Sequence, residues 1–421
     1  MNILIISKSD STGGAAVVSR RLMEALQAEG ENVRMIVAEK LTDSPYVELA
    51  APPEQEMIPF VFERLKIFAQ NGFSRQTLFK VDSGSDGLPI WEHPLAKEAD
   101  AILINWVNQG MLSLNGVEKL LAMGTPVIWT MHDMWCMTGV CHHAQSCRRY
   151  MSECGRCPLL GWMKGDNDLS RRVWRKKDRI YSKYDNLGFV AVSNWLAGKA
   201  SESSLLGSRG VAVIPNAFKI FDEYGKIPEE NTGIRILFGA ARLDDPIKGL
   251  PLLKESMKVL REVYPRIAEE VELVTFGNAK DPRSLDGMAV SHRHLGVIKG
   301  EEALRRVYDD AHILVSASSY ETLPGTLVEA QAYGCIPVSF DQGGQPDIVD
   351  HGKTGFLAPW NDNRHEAARN LADMIAQAVK TVENPDEFEE IRRRMRESVE
   401  RKFSYRAVAQ SYISLINRMK N

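Results

Sequence analysis

The chain has 421 residues, a formal net charge of −3 at pH 7 and six cysteines. So balanced a charge gives no basic field for nucleic acid, and no apolar run approaches the roughly 18 residues that a bilayer-crossing helix needs. The length allows two domains of ordinary size. Four of the cysteines crowd into one short segment, which in a cytoplasmic protein points to metal before disulfides.

Asn2 to Ser7 reads as a buried strand, entered without the basic region of a signal peptide, so a cytoplasmic location is expected. Val17 to Gly30 has the spacing of an amphipathic helix, and Val33 to Ala38 is the next strand. Between the first two lies a glycine loop, Ser9 to Ala16, with Gly13 and Gly14 at its centre. Strand, glycine loop and helix in that order make a Rossmann-type opening, but the full G-x-G-x-x-G spacing of dinucleotide enzymes is missing. Residues 42–92 carry no clear α/β rhythm. Within them, Pro59 to Phe68 mixes apolar and basic side chains. It suits a helix lying on an anionic membrane face or one packed on its own domain. Ala101 to Trp106 and Thr125 to Met131 are strands, with a helix from Gly116 to Met123 between them. The second strand runs into His132-Asp133, a pair set at a carboxyl strand end and so facing the crevice of an α/β sheet.

The cysteines follow. Cys154-Gly-Arg-Cys157 is the half-site usual in tetrahedral zinc sites, and Cys141 and Cys147 complete a four-thiolate set. A structural zinc would order this polar loop. Cys136, His142 and His143 are alternative ligands, and free thiols or disulfides are the other reading. The run Arg171 to Arg179 is a strongly basic helix, either a solvated face or an attractor of a phosphorylated or lipid-linked acceptor or of anionic lipid headgroups. Gly188 to Ser193 and Val211 to Pro215 are the last strands of the first half. A polar linker, Asp222 to Thr232, follows, and Ile234 to Gly239 restarts the strand–helix rhythm.

Two motifs dominate the second half. Ala240 to Gly249 carries Arg242 and Lys248 on one strand-to-helix loop, where a bidentate guanidinium and a movable ammonium can both reach a diphosphate. Ala311 to Asp341 reads as strand, loop, helix from Thr326 to Tyr333 closed by Gly334, and strand from Ile336 to Phe340. The helix N-terminus is an anion site, and Gly325 lets a phosphate approach the backbone. Glu321 and Glu329 flank it as acceptors for sugar hydroxyls. The set suits a molecule carrying both phosphate and sugar. Strands and crevice loops at Val271 to Gly277 and Leu295-Gly296 come before it. Helices are expected at His365 to Val382 and from Phe388 to about Lys420.

The pair Glu321-x7-Glu329, followed by Ala330, Gly334 and Pro337, resembles the nucleotide-sugar signature of glycosyltransferase family 4. The resemblance implies an α/β protein of the GT-B architecture: two Rossmann-like domains facing across a cleft, the last helix crossing back to the first. Residues 1–218 would then form the acceptor-binding domain, with a cysteine-rich insertion at about 136–165. Residues 233–402 would bind the donor and 403–421 would return to the first domain. The resemblance also implies roles. Arg242 and Lys248 grip the donor diphosphate, with Gly325, Thr326 and Leu327 at the helix N-terminus. Glu329 takes the ribose and Glu321 the sugar hydroxyls. His132 sits beside the transferred sugar, Gly13 and Gly14 border the crevice, and Asn216 belongs to a Pro-Asn turn at the domain junction. Gly343-Gly344 and His351 to Leu357 follow in the family's order.

The activity so implied is retaining transfer from a nucleoside diphosphate sugar to a saccharide or lipid-linked acceptor. It would serve cell-surface polysaccharide synthesis, in the cytoplasm or peripherally on the inner membrane face. No catalytic metal is expected, because Arg242, Lys248 and the helix N-terminus can carry the leaving-group charge. Two other classes stay open: a hydrolase using paired carboxylates, and a non-catalytic nucleotide-sugar or zinc-dependent scaffold.

Overall fold

The computed structural model describes residues 1–220 and 233–420; the linker expected at Asp222 to Thr232 lies outside them. The chain divides into two compact units. One is Met1–Ala217 joined by Tyr405–Asn421, the other Phe218–Ser404.

The first unit runs β1 (Asn2–Ser9), α1 (Gly14–Ala28), β2 (Asn32–Glu39), β3 (Val47–Leu49), α2 (Pro53–Gln70), α3 (Pro94–Lys97), β4 (Ala101–Ile104), α4 (Leu114–Leu121), β5 (Val127–Met131), α5 (Leu169–Lys183), β6 (Leu187–Ala191), α6 (Asn194–Glu202) and β7 (Val211–Val213). Its sheet is parallel, in the order β3-β2-β1-β4-β5-β6-β7. The central strands are apolar on both faces because helices cover both. Ile3, Leu4, Ile5 and Ile6 are all buried, as is every residue of β4. Each such side chain contributes about 1.5–3 kcal/mol.

The second unit runs β8 (Ile234–Arg242), α7 (Leu250–Val263), α8 (Pro265–Glu270), β9 (Val271–Asn278), β10 (Ser291–His294), α9 (Glu301–Asp309), β11 (Ile313–Val315), α10 (Gly325–Tyr333), β12 (Ile336–Phe340), β13 (Phe356–Ala358), α11 (Arg364–Glu383) and α12 (Pro385–Phe403). The sheet order is β10-β9-β8-β11-β12-β13, again all parallel. Both sheets therefore reverse winding once, between β1 and β4 and between β8 and β11. In open α/β sheets the crevice beyond the carboxyl ends at such a reversal is where ligands bind.

The single helix expected from Phe388 to Lys420 is two. Ser404 adopts an extended conformation, and α13 (Tyr405–Lys420) begins beyond it. Ser404 pairs with Phe218, and the Phe218 amide donates to the Phe403 carbonyl at 2.8 Å. The residue that enters the second unit thus lies beside the one that leaves it. α13 packs on the first unit, burying Val408, Ala409, Tyr412 and Ile416. The Tyr412 hydroxyl lies 2.8 Å from Thr130 Oγ1, and Tyr405 donates to Glu24 at 2.7 Å. Residues 42–92, which carry no sequence rhythm, hold β3 and α2, an 18-residue helix. No helix of the described residues is long and apolar enough to cross a membrane.

Candidate active site

In the first unit the switch point lies between β1 and β4. Gly13 holds φ +87°, a conformation costly for other residues, and starts α1 with Gly14. Nothing lies within 4 Å of where a Cβ on either would sit. Both glycines line a cavity of about 480 Å³, with Lys8, Glu56, Phe60 and Trp106 among its other walls. Lys8 Nζ pairs with Glu56 at 2.8 Å. Asn216 is partly exposed in the turn after β7, close to the unit's end.

His132 follows β5. Its Nε2 lies 2.8 Å from Asn105 Oδ1, on the residue directly after β4. Burial pushes the imidazole down to about 4, against the pull of Asp133, so it is neutral at pH 7. Asp133 faces the other way. Its Oδ2 accepts from Trp106 Nε1 at 3.0 Å and meets His142 Nδ1 at 2.7 Å, and its Oδ1 accepts from the Trp135 amide at 2.7 Å. Burial works against this carboxylate, but His142 and the Trp135 amide outweigh it and hold the group at about 2. His142 Nε2 reaches Asp82 Oδ2 at 2.5 Å, Asp82 pairs with Arg64, and Arg64 pairs with Glu63. Glu63 in turn accepts from the amides of Ser83, Gly84 and Gly110. Nothing in the sequence pattern announces this buried network. It spends His142 on two carboxylates rather than on the cysteines.

In the second unit the loops beyond β8, β11 and β12 are pressed together. The loop after β8 turns at Asp245, whose side chain accepts from the Ile247 amide, and ends at Gly249 with φ +74°. A Cβ on Gly249 would lie 2.1 Å from the Ala317 carbonyl, and Ser319 donates its amide to the Ile247 carbonyl at 3.1 Å. On the other side, a Cβ on Gly344 would meet the Thr322 carbonyl at 1.8 Å, and the Gly344 amide donates to the Glu321 carbonyl at 2.9 Å. Gln342 Nε2 donates to the Ser319 carbonyl at 2.7 Å.

Held from both sides, Glu321 accepts from Lys248 Nζ at 2.6 Å. Glu321 is 15% exposed and Lys248 35%, so the pair is accessible from one side. Arg242, the last residue of β8, is half exposed and lies 3.4 Å from Asp244. Helix α10 starts at Gly325, one residue before the expected Thr326, and no side chain caps it. Gly325 and Thr326 are partly exposed. Leu327 is buried and its amide donates to the Pro324 carbonyl at 3.1 Å. Glu329 sits one turn on, where Tyr308 donates to its Oε2 at 3.4 Å. The Tyr308 ring stacks on Tyr333 at 4.9 Å. A hollow of about 720 Å³ on this unit lies along α7, and none of the donor candidates lines it.

Residues 234–377 match the family model "Glycosyl transferases group 1". Arg242, Lys248, Glu321, Gly325 and Glu329 all fall inside that segment. Among curated proteins, the chain is 27% identical to the glycogen synthase of Xanthomonas axonopodis pv. citri over 33% of its own length and 30% of the relative's. It is 25% identical to the "Putative colanic acid biosynthesis glycosyl transferase WcaC" of Escherichia coli strain K12, over 50% of this chain and 51% of that protein. The chain therefore spans about a quarter to a half of the length of the curated relatives that it matches. Among solved structures, Anabaena Alr3699/HepE in complex with UDP and glucose is similar with a TM-score of 0.60 and 16% identity, covering 99% of both chains. WaaG, a glycosyltransferase involved in lipopolysaccharide biosynthesis, is similar with a TM-score of 0.59 and 12% identity, over 98% of this chain and 99% of that one. The fold is the GT-B architecture of glycosyltransferases, with two Rossmann-like sheets.

Outside the group 1 segment, the cysteine loop has its own arrangement. Cys141, Cys147, Cys154 and Cys157 line one cavity of about 20 Å³. None of the six cysteines is in a disulfide. As placed, no three His, Cys, Asp or Glu side chains among the described residues are arranged to hold a metal ion. Burial pushes Cys141 up to about 12 and Cys157 up to about 11, so metal binding would have to release protons. The basic run of α5 is not uniformly solvated. Lys177 is fully buried, donates to the carbonyls of Trp135, Thr138 and Gly139, and lies 3.5 Å from the Trp135 ring centroid. Burial pushes it down to about 7, though the neighbouring thiols pull the other way. Arg171 donates to the Cys154 carbonyl at 2.9 Å. Two of the basic residues thus brace the cysteine loop.

Proposed function

We propose that this protein is a retaining glycosyltransferase of family 4, moving a sugar from a nucleoside diphosphate sugar to a saccharide or lipid-linked saccharide. The observation that supports this most is the Lys248–Glu321 pair beside the uncapped start of α10, at the switch point of the unit that matches the group 1 model. Breaking the anomeric bond leaves negative charge on the diphosphate, and preorganised positive groups stabilise it without reorganisation. Arg242 and Lys248 supply those groups, with the α10 amides at Gly325 and Thr326, and no divalent metal is required. Glu329 binds the ribose and Glu321 the sugar hydroxyls. In the retaining reaction the diphosphate oxygen accepts the acceptor's proton on the face that the leaving group departs. His132, neutral at pH 7, hydrogen-bonds the transferred sugar rather than charging beside it.

The cavity at Gly13 and Gly14 is of a size for small-molecule ligands, about 300–1,000 Å³. Its mix of Trp106, Lys8 and Glu56 suits a sugar, whose apolar face stacks on an indole while its hydroxyls take charged partners. The colanic acid role in the name of WcaC and the lipopolysaccharide role of WaaG support a place in cell-surface polysaccharide assembly. A hydrolase is disfavoured by Glu321 being paired to an ammonium, which suits neither a protonated acid nor a free nucleophile.

Thermal shift against a panel of UDP-, GDP- and ADP-sugars tests the reading. Ligand at a hundredfold its Kd stabilises the native state by about 2.7 kcal/mol. One base class should raise the melting temperature by several degrees without added metal. No shift with any member would count against a donor site.

A further inference from the structure

Helix α2 is built inside out. Over residues 57–65 its only charged side chains, Glu63 and Arg64, are buried, fixed by Asp82, Ser83, Gly84 and Gly110. The side chains turned to solvent are Met57, Ile58, Val61, Phe62 and Leu65, each more than 40% exposed. At 100° per residue these five occupy one arc of the helix. Soluble helices do the reverse, and contiguous exposed apolar surface marks an interaction site. The patch continues past the helix. Phe73 is 60% exposed and stacks edge-on against Phe68 at 5.4 Å. Trp162 is 70% exposed and donates to the Gly72 carbonyl at 3.3 Å. Phe79, also exposed, lies over Arg64.

Cations rim this patch. Lys66, on the next turn of α2, pairs with Asp86 at 2.7 Å, Arg75 comes two residues after Phe73, Lys80 directly after Phe79, and Lys164 two residues after Trp162. Arg172 of the basic helix α5 bonds to Gln70 at the end of α2. All five are exposed. Apolar side chains including a Trp and Phe residues, ringed by Lys and Arg, are what an anionic bilayer surface recognises, the rings entering the headgroup layer and the cations meeting lipid phosphates.

We propose that the first unit docks on an anionic lipid bilayer through the outward face of α2 together with Phe73, Phe79 and Trp162. The same helix lends Met57 and Phe60 to the 480 Å³ cavity, so docking would hold that cavity at the bilayer surface, within reach of a saccharide carried on a lipid. The docking itself rests on no step of the transfer reaction.

Co-sedimentation with sucrose-loaded vesicles tests it, comparing phosphatidylcholine alone with phosphatidylcholine containing about a third phosphatidylglycerol. Wild type should pellet with the anionic vesicles, and F62E/L65E should partition at least about tenfold less. The double variant should still show the wild-type thermal shift with donor nucleotide, which separates loss of docking from loss of the donor site. As a second readout, phosphatidylglycerol with brominated chains should quench tryptophan emission in wild type more than in W162F. Three results would overturn the proposal: no partition of wild type, equal partition of F62E/L65E, or a wild-type dimer that the double variant makes monomeric while neither binds vesicles. The last would assign the face to a second copy of the chain.

Discussion

Lys248 and Glu321 are 73 positions apart, yet their side chains meet at 2.6 Å because the loops after β8 and β11 touch. A lone ammonium at 35% exposure would lose little by leaving one carboxylate for a diphosphate with two negative phosphates. Lys248→Ala should therefore weaken nucleoside diphosphate binding by about 10- to 100-fold, the range of a charge-assisted hydrogen bond worth about 1.5–3 kcal/mol. Free sugar binding should change by less than about twofold, as read by titration calorimetry of the variant. Equal losses for both ligands would remove Lys248 from the diphosphate. That these residues lie on adjoining loops at one switch point is legible in sequence because each motif is local: a strand end, a short loop and a helix start. The hydrogen bond from the Leu327 amide to Pro324 is not legible, because helix-start amides look alike in sequence. The Asp133–His142–Asp82 chain is not legible at all. It joins residues 60 positions apart, one of them in a stretch without periodicity.

Among the elements, α2 and the cysteine loop account for most of what the sequence leaves open. Pro59 to Phe68 reads as a helix in sequence, but its outward face does not, because over residues 57–65 α2 buries an ion pair and exposes most of its apolar side chains, the reverse of the usual buried stripe. The cysteine spacing predicts a cluster, and the four thiols do share one small cavity. A zinc clip remains our proposal for that loop. It requires the thiols to turn from their present positions, in which no three converge on an ion, and to lose their protons. Metal analysis of protein purified without chelator should give about one zinc per chain. C154S/C157S should lose it and melt at lower temperature. Absence of zinc together with four titratable thiols would show that Lys177 and the carbonyls it binds hold the loop unaided. The break at Ser404 is hidden for a simpler reason: helical periodicity resumes after a single extended residue.

At the scale of the molecule, both sheets share one six-strand order, to which the first adds β7 at its edge, and each reverses once beside its first strand. That repeated winding is readable from the second strand–helix start at Ile234. It sets the glycine loop of one unit and the Lys248–Glu321 loops of the other at the corresponding edge of their respective sheets. The chain leaves the first unit after Ala217 and rejoins it at Tyr405, so α13 completes a core begun about 400 residues earlier.

The most direct test is acceptor-dependent release of nucleoside diphosphate from the donor sugar that gives the largest thermal shift, followed in wild type and in R242A/K248A without divalent metal. The expected result is release by wild type that rises with added saccharide acceptor and falls at least about a hundredfold in the double variant. Hydrolysis of a glycoside with no nucleotide product, or release unchanged in the double variant, would contradict the assignment of these loops to a leaving diphosphate.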